Sequence, residues 1–151
     1  MKMFGRKRAG IPASLYFLFD GAVPLEDGDG VKVGDAFTHA IGYSALGHVF
    51  VVNESSMEFG VYHPFKAASK NYGPFDSVQA FQAAVLEDEG FRVFVLEPDL
   101  QAQVVGRLGQ LGDGEVFYPV PYPFVGGSGE PQTYDKGKFW TFLQVVDAMQ
   151  G

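Results

Sequence analysis

The sequence contains no cysteine. That absence excludes disulfides, thiolate-ligated metals and cysteine nucleophiles together, and it agrees with a reducing compartment. Long apolar runs are also missing. The run from Leu15 to Phe19 ends at Asp20 after five residues, whereas a secretory core needs about 7–15 residues and a membrane helix about 20. The opening MKMFGRKR is basic, but the AGIPASLYFLFD that follows is broken by Gly10 and Pro12. The expectation is a cytoplasmic protein that does not insert into a membrane.

Positive charge is the third scarcity. Eleven Lys and Arg face eighteen Asp and Glu, a net charge of −7. Four of those cations, Lys2, Arg6, Lys7 and Arg8, fall within the first eight residues, so the remainder carries −11. An acidic body repels nucleic-acid backbones and attracts basic partners. Residues 1–14 read as a flexible, solvated basic N-terminus, and residues 15–151 as one domain.

Against these absences stands a hydrophobic fraction of 46% and an aromatic fraction of 15% in 151 residues. A chain of this length buries roughly 70% of its unfolded surface, so it can build a core without staples. Residues 15–19 read as a short buried strand, and GAVPLEDGDGVKVGD as a Gly/Asp loop. AFTHAIGYSALGHVFVVN holds one or two strands, NESSM a turn, and EFGVYH a returning strand ended by Pro64. PFDSVQAFQAAVLEDE predicts a helix capped by Asp76 or Ser77, lined by Val78, Phe81, Val85 and Leu86, and stopped by Gly90. FRVFVLE is ambiguous between strand and helix. Pro98 opens a further helix with Leu100, Val104, Leu108 and Leu111 on one face. EVFYPV is extended. A last helix over about 137–149 turns Phe139, Phe142, Leu143 and Val146 inward. Strands precede helices, which predicts an α+β fold: a small antiparallel sheet from the N-terminal half with C-terminal helices packed on it.

The motifs of chemistry are missing. Asp27-Gly-Asp-Gly lacks the closing Glu of a calcium loop, because position twelve is Thr38. The segment Gly126-Gly-Ser-Gly has neither the spacing nor the lysine of a phosphate loop. His39, His48 and His63 form no zinc motif, and no serine lies in a GxSxG elbow. No catalytic residue, metal or cofactor is assigned. Trp140, the sole tryptophan, reads as a core residue in KFWTFL. Glu87, Asp88 and Glu89 read as a charge run at a helix C-terminus, where anions oppose the helix dipole. A solvated helix end is the usual account of such a run; retention of the misfit for a basic partner is the other, and it makes these residues, with Asp113 and Glu115, candidates for binding one.

From residue 100 onward the order of features resembles the C-terminal domain of type VI secretion immunity proteins that protect bacteria from DNase effectors. The matching residues are Leu108 to Leu111, Asp113 and Glu115, Phe117 and Tyr118, Pro121, Phe124 and Val125, Gly126 and Gly127, and Phe139 to Val146. Upstream, YSALGHVFVVN, VYHP and SVQAFQAAV are similar to the family's strand pair and following helix. His48 stands where the family pattern has an acidic residue. The resemblance spans about residues 35–150; the first 34 or so are too few for the GAD-like domain that precedes it in many members.

The resemblance implies a non-enzymatic toxin inhibitor whose partner is a cognate secreted toxin with a basic surface, a nuclease, held in the cytoplasm with its active site occluded. Toxin contacts would fall on Glu87, Asp88, Glu89, Asp113 and Glu115. The loop carrying Tyr122, Phe124, Gly126 and Gly127 would line a pocket or interface. The readings that compete with it are a non-catalytic protein-interaction module of SMI1/KNR4-like type and a small hydrolase.

Overall fold

A computed structural model describes residues 14–25 and 36–150. The basic N-terminus and the DGDG segment lie outside the described residues. The fold is α+β. Five strands form an antiparallel meander in the order β1-β2-β3-β4-β5: Tyr16–Pro24, His39–Ser44, Val49–Asn53, Glu58–His63 and Ala68–Pro74.

β3 explains why its sequence is a run rather than an alternation. Val49, Phe50 and Val51 have no exposed surface and Val52 almost none, because both faces of the sheet are covered. A strand buried on both sides reads as continuous hydrophobicity. On one face, Tyr43, Val49, Val51 and Tyr62 pack against Phe139, Phe142, Leu143 and Val146 of the C-terminal helix. On the other, Ile41, Phe50, Phe59 and Val61 pack against Phe81, Val85, Leu86, Phe91 and Leu96. Ala40 and Ile41 alternate between the two faces, and a register shift between Ala40 and Gly42, which inserts one extra residue as a β-bulge does, returns Tyr43 to the face of Ala40.

The second face is covered by two short helices. α1, Val78–Phe81, continues as a π-helical turn over Gln82–Leu86, and α2, Glu89–Phe91, as another over Arg92–Leu96. Ser77 is the cap of α1: its Oγ accepts from Ala80 N at 3.0 Å. The end of the first helix differs from expectation. It stops at Glu87, and Gly90 lies inside α2 rather than closing α1. The ambiguous FRVFVLE is helical up to Leu96.

α3, Pro98–Leu108, starts on its proline and packs Leu100, Val104 and Leu108, with Leu111 beyond its end, onto the β2–β3 turn at Ala45 and Leu46. β6, Glu115–Pro119, pairs with β7, Tyr134–Lys138, as a separate two-stranded sheet, and α4 runs from Phe139 to Gln150.

Two strands escape a reading of the sequence. β5 carries Ser69, Lys70 and Asn71, residues poor in strand propensity, but it is a sheet edge, where polar and cationic side chains discourage further pairing. β7, reading YDKGK, has no apolar alternation and is held by its partner β6. β1 is longer than LYFLF and runs along the other edge, half-buried rather than buried.

Candidate interaction site

Five acidic residues and one loop were singled out by sequence, and the fold distributes them over three places. Glu87, Asp88 and Glu89 form the junction between α1 and α2, on the face covered by those helices. The Tyr16 hydroxyl donates to Glu87 Oε2 and accepts from Gln82 Nε2 at 2.8 Å. Asp88 is an N-cap, its Oδ2 accepting from Phe91 N at 3.0 Å. The dipole misfit read from the sequence is therefore corrected. Asp88 and Glu89 begin a helix, where negative charge is favourable. Burial, then the Glu87 hydrogen bond, raises the Tyr16 phenol above its usual range. Beside this junction, Val93 is 44% and Phe94 82% exposed.

Asp113 and Glu115 belong to the opposite face. Glu115 Oε1 accepts from Gly112 N at 2.6 Å, and its carbonyl accepts from the Tyr43 hydroxyl at 3.0 Å. Phe139 N donates to Gly114 O at 2.9 Å. These bonds fix the 111–114 turn against the start of α4. The acids thus make two groups on opposite faces, with β1 passing between them: Tyr16 contacts one, and Phe17 and Phe19 face the other.

The turn forms one wall of an open cleft of about 600 Å³. β1 contributes Phe17, Phe19 and Asp20 to its lining, β2 contributes Tyr43 and α4 contributes Trp140. The aromatic rings support one another. Phe19 stacks on Trp140 at 6.1 Å and leans on Tyr43 at 5.9 Å, and Tyr43 stacks on Phe139 at 4.0 Å. Asp20 enters the cleft where β1 departs from regular pairing with β2, between Leu18 and Val23. Burial, then the charges of Asp113 and Glu115, pushes the Tyr43 phenol up to about 12. The phenol therefore stays neutral under a negative field.

A smaller cavity of about 110 Å³ adjoins the cleft across Phe17 and Leu111. Gln101 lines it, only 2% exposed. Its Nε2 donates to Ser14 O at 2.7 Å, while its Oε1 has no donor among the described residues.

The loop after β6 packs inward. Tyr122 and Phe124 stack on each other at 5.7 Å and lean on Phe65, which meets Phe142 edge-on. Gly127 N donates to Tyr122 O at 3.0 Å, and a Cβ on Gly127 would lie 1.8 Å from Pro121 O. Gly126 turns the chain with φ +97°. Pro121 follows a cis peptide bond. The prolines and aromatics thus form a cover over α4 that the glycines fold back upon. The loop's large apolar surface in solvent belongs to Val120 and Val125, each about half exposed.

Sequence reasoning missed Phe17, Phe19, Asp20 and Tyr43 as one site. The legible signal was Phe17-x-Phe19, aromatics two apart on one strand face, followed by an acid. Trp140 does pack against the core, but it also lines the cleft.

Among the described residues, no three His, Asp or Glu side chains lie close enough to hold a metal ion. No helix there is long and apolar enough to cross a membrane. No family model matches the chain, and no curated protein matches it. Among solved structures the chain is similar to the crystal structure of Atu4351 from Agrobacterium tumefaciens, with a TM-score of 0.60 and 15% identity. The match covers 89% of this chain and 66% of that one, less than two thirds of the latter's length. At that identity the likeness concerns the fold alone.

Proposed function

We propose that this chain is a cytoplasmic immunity protein of the type VI secretion kind, which binds a cognate toxin, a nuclease, and occludes its active site. The observation that carries the reading is Phe94. It is a large aromatic, 82% exposed, in the π-helical turn that continues the helix begun at Asp88 and Glu89. Exposed aromatics beside charge are what protein interfaces use: the ring supplies the desolvated anchor and the rim supplies partner choice.

The charge fits such a partner. A body of net −11 beyond the first eight residues is steered toward the basic groove of a nuclease and competes there with nucleic-acid phosphates. The sequence resemblance over about residues 35–150 supports the same reading. Binding would require no catalysis by this chain.

The test is retention of a partner. Tagged protein is recovered from its own bacterium in high salt and the bound protein identified by mass spectrometry. Stoichiometric recovery of a secretion-linked nuclease, and loss of that nuclease's activity on adding the purified chain, is the expected result. A bound small molecule in place of a protein, or a nuclease that stays fully active, overturns the proposal.

A further inference from the structure

The end of the five-stranded sheet that carries the β2–β3 turn holds a row of polar side chains. Tyr43, Val49 and Tyr62 face α4. Side chains alternate along a strand, so their neighbours Ser44, His48 and His63 face the α1–α2 side. His48 meets His63 edge-on at 4.9 Å. His63 is the last residue of β4 and enters the single helical turn Pro64–Lys66. Ala67 then takes a left-handed φ of 49°, and the chain returns as the edge strand β5.

The hydrogens of this row are fully committed. Ser44 has no exposed surface. Its Oγ accepts from His48 N at 3.0 Å, and its one hydrogen is left for His48 Nδ1 at 2.8 Å. The neutral His48 ring therefore carries its proton on Nε2. A second proton on Nδ1 would turn that atom into a donor and strand the buried Ser44 hydroxyl hydrogen, for which no other described group is an acceptor. A stranded buried donor is costly.

The surrounding charges are of one sign. Lys66 belongs to the turn and Lys70 to β5, its ammonium 4.9 Å above the Tyr72 ring. The one ion pair among the described residues, His39 with Glu54, lies elsewhere. Asp147 of α4 and Asp88 at the start of α2 act on the Tyr62 and Tyr72 phenols. The charges acting on His48 are those of His63 and Lys66, and on His63 those of Lys66 and Lys70. Burial first, and then these charges, holds both imidazoles below their ordinary range.

From this geometry we infer that Ser44, His48 and His63 form an acid-sensitive latch: proton uptake there frees the Pro64–Lys66 turn and β5 from the sheet while the central strands stay folded. β5 is the piece that can leave, because it is an edge paired with β4 alone among the described strands and its first four residues are exposed. β3 is buried on both faces and stays. Leaving carries Lys66 and Lys70 away from the imidazoles. It also withdraws Phe65 from Tyr122, Phe124 and Phe142, so the cover over α4 loosens with it. The open form binds protons that the closed form refuses, so falling pH favours opening.

Amide hydrogen exchange of the full chain at pH 7, 6 and 5, corrected for intrinsic rates, tests this. The β5 amides should exchange through an opening that leaves the β3 amides protected. Their protection should fall below about pH 6.5, by up to about tenfold per pH unit for each proton taken up. His63→Gln should flatten that dependence. Lys70→Gln leaves the row intact and keeps the test valid if His63→Gln fails to fold; it should raise the His63 titration midpoint, read from its imidazole proton resonance. Equal protection of β5 and β3 at every pH means that the sheet opens as one unit, and it overturns the latch. So does β5 protection that ignores pH, a folded His63→Gln that follows the native dependence, or a His63 midpoint unmoved in Lys70→Gln. None of these outcomes bears on the contact proposed at Phe94.

Discussion

His48 illustrates how much a single side chain is set by its surroundings. Its ring keeps a little surface but lies deep among protein atoms, edge-on to His63 at 4.9 Å. Nδ1 is 2.8 Å from Ser44 Oγ, which also accepts from the His48 amide at 3.0 Å. Burial, then the charge of His63 and that of Lys66, lowers its pKa to about 3. Between that value and 6.5 the unfolded chain binds a proton that the folded chain refuses. Stability therefore falls as pH drops from about 6.5 toward 3, with a slope from this residue of up to about 1.4 kcal/mol per pH unit. Urea denaturation at pH 7, 6 and 5 checks it. The slope of His48→Asn should be shallower by up to that amount; parallel slopes for the two proteins would refute the assignment. From sequence, this position stood out only as a histidine in place of an expected acid. Nothing local signals its burial, because that depends on β4 bringing His63 alongside.

At the scale of elements, caps decide what the acidic run means. Asp88 holds the Phe91 amide and so starts α2 directly after α1 ends. Asp88→Ala should lower stability by about 1 kcal/mol, whereas Asp88→Asn keeps an accepting oxygen and should retain most of it. Equilibrium denaturation of the pair separates the cap from the charge: equal losses would mean that the charge, not the hydrogen bond, matters. This junction was half-legible. The Ser77 start, the Pro98 start and the inward face of α4 were readable because capping chemistry and 3.6-residue spacing are local. The central strands were readable because burial on both faces makes them continuous apolar runs. β5 and β7 were not, since a polar edge strand is specified by its neighbour's unpaired backbone and not by its own side chains. For the same reason the cleft was invisible: it unites β1, β2, a turn near residue 113 and the first turn of α4, which no spacing rule connects.

For the molecule as a whole, the question is whether acidic charge and exposed apolar surface act together. Most of the acids named from sequence carry structural hydrogen bonds: Glu87 with Tyr16, Asp88 with Phe91, Glu115 with Gly112. Reversing all of them at once would confuse folding with recognition. Glu89 and Phe94 are cleaner probes, both exposed and both at the α2 surface. Phe94→Ala removes little buried area, so its stability should change by no more than about 0.5 kcal/mol. Glu89→Gln gives up a first-turn charge, about 0.3–1 kcal/mol. On the partner that the retention test recovers, the two should differ in kind. Phe94→Ala should speed dissociation at least tenfold, as loss of an anchor does. Glu89→Gln should mainly slow association and flatten its dependence on salt, as loss of a steering charge does. Stopped-flow association at low and high ionic strength, with dissociation followed by competition, resolves both rates. If neither rate moves in either variant, the partner does not use the Phe94 surface, and the acidic charge of the molecule serves solubility rather than recognition.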